Sequence, residues 1–124
     1  MKLEDLEIYQ LAMDLGNEVW NLTKAWNYFE KYTIGKQFVR ASDSVAANIS
    51  EGFGRYHYKD TKNFIYYARA SLSETKTWVQ KAYERGLISQ EISQHLMKKI
   101  DKLNVKINNF IRKIGSGQKT SNNP

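Results

Sequence analysis

Cysteine is missing from this chain of 124 residues, and its single proline is the last residue, Pro124. Without thiols there can be no disulfide, no iron–sulfur cluster and no thiolate zinc site. Without an interior proline, nothing along the chain forces a helix to stop or kink. Histidine is almost as scarce, with His57 and His95 alone. A di-iron bundle needs two Glu-x-x-His motifs, and the nearest spacing here is Glu91-x-x-x-His95, so no metal site and no cofactor is expected. No segment approaches the ~20 apolar residues of a membrane span. The first residues carry acids and no uninterrupted apolar run, which is not a secretory signal. These absences lead us to expect a soluble, cytoplasmic protein with no membrane partner. A phosphate-cradling Gly-rich loop with Lys, a helical zinc-protease motif and a Ser-centred elbow are also lacking. Some helical-bundle ribonucleases place Arg four to six residues before His; those slots before His57 and His95 hold no Arg. We therefore nominate no catalytic residue and expect no enzyme.

What the chain has is four apolar-periodic segments separated by short breaks, with no strand-like alternation. They predict helices at about 3–24, 32–53, 60–84 and 89–114. Short connections between long helices predict an all-α, antiparallel up-down-up-down four-helix bundle in one domain over 1–114. Residues 115–124 hold no apolar side chain beyond the glycines and are expected to be a disordered tail. The inward stripes read as Ile34, Phe38, Ala41, Val45 and Ile49; then Phe64, Ala68, Ser71, Thr75, Trp78 and Ala82; then Ile92, Leu96, Ile100, Leu103, Ile107, Phe110 and Ile114. Asp60 or Thr61 can cap the third helix, Gly86 ends it, and Ser89 caps the fourth. The first helix carries two adjacent stripes, one through Leu6, Tyr9, Met13, Gly16 and Trp20, the other through Ile8, Ala12, Leu15 and Val19. That arc is wider than one bundle core needs and points to a second burial surface, most simply between copies of the chain.

Two constellations stand out as candidate sites. The first is a polar seam on the second helical hairpin, made of Arg40, Ser44, Asn48, Glu51, Gly52, Ser71 and Glu74. If its turn centres near Tyr56, Arg40 meets Glu74 as a buried ion pair, and Glu51 reaches Arg55 one turn on. No nucleophile and base accompany the seam, so it reads as structural. The second is basic. The chain carries a formal net charge of +6, but residues 1–30 hold two basic and six acidic residues, whereas 91–124 hold seven basic and two acidic. Lys98, Lys102 and Lys106 recur every four residues, flanked by Lys99 and Lys113, and Arg55-Tyr-His-Tyr58 interleaves cations with rings. Such a surface can follow phosphates and stack unpaired bases. Equally, a bundle can pair its acidic helix with its basic one and leave the remainder solvated.

Ser44-Val-Ala-Ala-Asn-Ile-Ser-Glu-Gly52, followed by Ser71-Leu-Ser-Glu74, resembles the signature of the small four-helix-bundle proteins encoded in intervening sequences of bacterial 23S ribosomal RNA genes. The similarity runs over about residues 3–114 and takes in Leu6-Glu-Ile-Tyr-Gln-Leu-Ala12 and Gly86-Leu-Ile-Ser89. Family members often carry Pro where this chain has Ala46, and also in the segment occupied here by Phe29-Glu30. The resemblance implies a four-helix bundle and barrel-shaped homopentamers. Its relatives include accessory proteins of diversity-generating retroelements, which act with a reverse transcriptase and nucleic acid. Coding within an intervening sequence describes a genomic place and not an activity. On residues and resemblance together, the expected function is a non-enzymatic, homo-oligomeric protein that binds RNA, or DNA, through Arg55, Lys98, Lys99, Lys102, Lys106 and Lys113. The alternative is a scaffold or accessory subunit that docks a partner protein without touching nucleic acid.

Overall fold

The computed structural model describes residues 1–115, which contain helices and no strand. All of the expected tail except Gly115 therefore lies outside the described residues. A 3-10 turn, Leu3–Asp5, opens the chain, and Leu6 then turns extended (φ −78°, ψ 118°) before α1, Glu7–Thr23. The single helix expected over 3–24 is thus broken at Leu6, whose side chain is buried and anchors the entry.

The connector expected at 26–31 is shorter than the composition suggests. Asn27 is extended and starts α2, Tyr28–Glu30, which continues through a π-helical segment, Lys31–Gly35, into α3, Lys36–Phe53. The boundary residues between these pieces are all right-handed helical, so residues 28–53 form one rod with a π turn near its start. After a turn at Gly54 and Arg55 comes α4, Tyr58–Glu84, and finally α5, Gln90–Lys113. The α4 N-cap is His57 rather than Asp60 or Thr61, and no side chain caps it. Two expected stops hold. Gly86, at φ 73°, ends α4 with the Leu87 N–H on the Ala82 carbonyl at 2.8 Å and the Gly86 N–H on the Tyr83 carbonyl at 3.0 Å, the paired bonds of a Schellman motif. Ser89 Oγ accepts from the Ile92 N–H at 3.1 Å and caps α5.

The helices pack in a ring, α1 on α3, α3 on α4, α4 on α5 and α5 back on α1, with α3 against α4 the most extensive contact. Each neighbour is antiparallel. Arg69 on α4 donates to Asn108 on α5 at 2.8 Å, and seven residues further on Lys76 reaches Asp101, seven residues back, at 3.4 Å. The core holds Leu15, Val19, Phe38, Val45 and Ile49 from the first half, and Ile65, Leu72, Val79, Leu96, Ile100, Leu103 and Ile107 from the second. The α3 stripe is as expected. On α4 the buried heptad is Ile65, Leu72 and Val79 instead of Phe64, Ser71 and Trp78, a rotation of one residue. Ala68, Thr75 and Ala82 belong to both patterns, so the sequence alone did not separate them. The compact aliphatic set fills the centre, while the Trp78 indole stays at the boundary, where its N–H reaches Glu74. On α5, Ser93 and Ile111 are buried where Ile92, Phe110 and Ile114 are only partly covered.

Candidate nucleic-acid interface

The lysines of α5 do not form one solvent-facing row. Four residues turn a helix by about 400°, so a ladder of i+4 steps drifts by about 40° each time. Lys98, Lys102 and Lys106 therefore wind around α5, whereas Lys99 and Lys106, seven apart, share a face. That face meets the acids of α1. Lys106 Nζ lies 3.0 Å from Glu7 Oε1, Lys99 Nζ bridges Asp14 and Glu18, and His95 Nε2 sits 2.7 Å from Glu18 Oε1. Steps of seven and four along α1 are matched by the same steps back along α5, so the ion pairs set the register of two antiparallel helices. Burial of Lys99 works against its charge, but the hydrogen bonds to Asp14 and Glu18 outweigh that and hold its ammonium above the ordinary 10.5. Of the lysines expected to contact phosphate, Lys99 and Lys106 are thus paired with acids of the same chain. Among the described residues Lys98 and Lys102 are exposed and in no ion pair, and Lys113 is exposed in the last turn.

The polar seam is local rather than shared between helices. Arg40 and Glu74 are both exposed and form no ion pair; Glu74 instead accepts from Trp78 Nε1 at 3.0 Å. Ser44 Oγ donates to the Arg40 carbonyl at 2.7 Å, Asn48 Nδ2 to the Ser44 carbonyl at 2.9 Å, and Thr75 Oγ1 to the Ser71 carbonyl at 2.8 Å. Ser42, fully buried and not anticipated, donates to the Val39 carbonyl at 3.1 Å. Each group is satisfied on its own helix, by the back-bonding that short polar side chains favour. The Glu51–Arg55 pair does form, at 3.0 Å, with the guanidinium over the Phe64 ring at 4.5 Å. Gly52 is not a polar contact of the seam but a point of close packing. It lies inside α3, where a Cβ would come 2.9 Å from Phe64 Cβ and 3.1 Å from the Thr61 carbonyl, so its role is close approach of α3 to α4.

A further group of four cations gathers on the α1–α3 face near the π segment. There a groove of about 640 Å3 has Trp20, Tyr32 and Val39 among its lining and Lys24, Lys31, Lys36 and Arg40 around them. No carboxylate is among the groove's lining residues, and none of the four cations is in an ion pair among the described residues. Trp20 is 56% exposed and Tyr32 58%, and Tyr28 packs against Tyr32 with ring centroids 4.7 Å apart and the rings tilted by 40°. The π turn inserts one residue into the helical repeat just where Lys31 and Tyr32 enter the groove; such bulges recur at functional sites. The sequence held a signal for this site. Trp20, Trp26, Tyr28, Phe29 and Tyr32 fall within thirteen residues and alternate with Lys24, Lys31 and Lys36. It is the same cation–ring interleaving read at 55–58, obscured because a connector was expected there.

Further along the same face the surface changes character. Tyr9, Met13, Gly16, Ala46, Ala47 and Asp43 border a shallower depression of small and apolar groups. The Asp43 carboxylate tip lies against Gly16, and its partial burial raises it above the ordinary 3.8. Among the described residues no helix is long and apolar enough to cross a membrane.

The family model described as 23S rRNA-intervening sequence protein matches residues 4–109. No curated protein matches the chain. Among solved structures it is similar to a protein of unknown function from the S23 ribosomal protein family of Bacteroides thetaiotaomicron VPI-5482. That likeness has a TM-score of 0.78 at 21% identity over 84% of this chain and 97% of the other, and at such identity it concerns the fold.

Proposed function

Since the chain belongs to the 23S rRNA-intervening sequence protein family, we propose that it is a non-enzymatic, homo-oligomeric RNA-binding protein. The observation that carries the RNA part is the groove between α1 and the start of α3, where four unpaired cations surround exposed rings. Phosphates are drawn by the cations, and the absence of lining carboxylates leaves nothing in the groove to repel them. The phosphate contacts thus move from the expected α5 lysines, of which Lys98 and Lys102 remain accessory, to Lys24, Lys31, Lys36 and Arg40. Self-association uses the small-residue half of the same face, where Met13 is 43% exposed beside Ala47; the five-subunit ring implied by the resemblance is the finer form of this proposal. Ring assembly would multiply one weak patch by avidity. The non-enzymatic part accords with the two histidines, of which His57 is exposed at a helix cap and His95 is held by Glu18.

The test is fluorescence anisotropy of a labelled mixed-sequence single-stranded RNA over a salt titration. With four phosphate contacts the log–log slope is expected near −3, about −0.7 per phosphate. Lys36→Gln with Arg40→Gln lowers both affinity and slope, and Lys99→Gln changes neither. No affinity even at low salt would sink the RNA reading and turn attention to a protein partner on the exposed Tyr28 and Phe29.

A further inference from the structure

We infer that the groove takes RNA in single-stranded form, stacking unpaired bases on Trp20 and Tyr32 while its cations hold the flanking phosphates. The inference rests on the RNA-binding reading and adds which form of RNA enters and which residues select it. A surface built for phosphates alone needs cations and no rings. Here each ring is followed by a cation four residues on: Trp20 by Lys24 at the end of α1, and Tyr32, in the π segment, by Lys36 at the start of α3. Rings and cations are thus interleaved in the lining of one groove, as an unpaired strand offers bases and phosphates side by side. A base inside a duplex is stacked on both faces and has none to offer, whereas an unpaired one does. The aromatic surface extends outward through Tyr28, whose ring packs against Tyr32 at a tilt of 40°.

Charge weighs against one competitor, a second copy of this chain seated in the groove through its α1. The acids of α1, Glu7, Asp14 and Glu18, are already engaged by α5, and a copy docked by another segment is an outcome of the test below. A polyanion with flat apolar faces satisfies both halves of the lining.

The experiment compares three probes on the full-length chain: a short mixed-sequence RNA, the same RNA annealed to its complement, and inorganic polyphosphate, which has the charge and no bases. The wild type is expected to prefer the single strand over the duplex by at least about fivefold, the low end of stacking on one ring. Trp20→Leu and Tyr32→Leu each weaken the single strand by about fivefold or more and leave polyphosphate within about twofold, while Trp20→Tyr keeps most of the affinity. Lys36→Gln with Arg40→Gln weakens all three probes. Circular dichroism and light scattering accompany each variant. Ring variants that leave single-strand affinity unchanged, or a duplex bound as well as the single strand, overturn the inference while RNA binding itself stands. Ring variants that dissociate the particle and lose all probes alike overturn it too, by making the rings copy-to-copy contacts. Failure of the wild type to bind any probe removes the RNA-binding reading and this inference together.

Discussion

Gly52 and Gly16 both sit where a helix meets a neighbour, and a methyl group would meet different obstacles at the two. At Gly52 the new Cβ would stand 2.9 Å from Phe64 Cβ and 3.1 Å from the Thr61 carbonyl, atoms fixed by the backbone of α4. At Gly16 it would stand 2.8 Å from Asp43 Oδ1, the partly covered tip of a flexible side chain on an otherwise exposed residue, which can swing away. Overpacking against rigid atoms costs about 1–3 kcal/mol, and alanine returns about 1 kcal/mol of helix propensity. Gly52→Ala is therefore expected to lower stability by up to about 2 kcal/mol, and Gly16→Ala to leave it unchanged or raise it by up to about 1 kcal/mol. Urea unfolding midpoints measure both; equal shifts would refute the distinction. Gly52 is a case in which residue type was legible and role was not. The sequence places Gly52 beside a polar seam, and only the approach of α4 reveals that the missing side chain makes room.

Along whole elements, the acidic face of α1 and the basic face of α5 close against each other through Glu7–Lys106, Asp14–Lys99 and the Glu18 pairs with Lys99 and His95. Exposed ion pairs contribute about 0.2–1 kcal/mol each, so Lys99→Gln, which loses two, is expected to cost about 1 kcal/mol. Lys98→Gln, one position round the helix and unpaired, stays within about 0.5 kcal/mol of wild type. Salt at about 1 M, with a Debye length near 3 Å, shrinks the Lys99 difference. The sign with pH follows from the raised pKa: Lys99 binds its proton more tightly in the fold, so its contribution is complete below 10.5 and is lost as pH rises beyond it. Denaturation at neutral pH and above 10.5 checks this; a Lys99→Gln effect that grows at high pH would contradict it. The opposite charges of the two terminal segments were countable from the sequence. The pairing depended on which lysines share a face, which the i+4 spacing of Lys98, Lys102 and Lys106 disguised and the heptad of Lys99 and Lys106 decides.

For the molecule as a whole, one face of the α1–α3 pair is divided along its length, small and apolar around Met13 and Ala47, basic and aromatic around Trp20 and Lys36. If the first half joins copies, Met13→Glu places a charge in that contact and is expected to reduce the particle to the mass of a single chain by light scattering, with its helical circular dichroism intact. An unchanged mass would remove this face from the assembly. Periodicity by itself determined the helical class, the α3 core stripe through Phe38 and Ile49, the Gly86 stop and the Ser89 cap, because these follow from the 3.6-residue repeat and from backbone groups a few residues apart. The over-wide apolar arc of α1 was likewise visible, and Met13 and Trp20 are indeed exposed. Which of two heptads α4 buries, whether Arg40 meets Glu74, and which cations stay unpaired were decided by tertiary structure alone. Each of these depends on the rotation of one helix against another, and a single residue, about 100° of turn, separates a core position from the surface and a neutralised lysine from a free one.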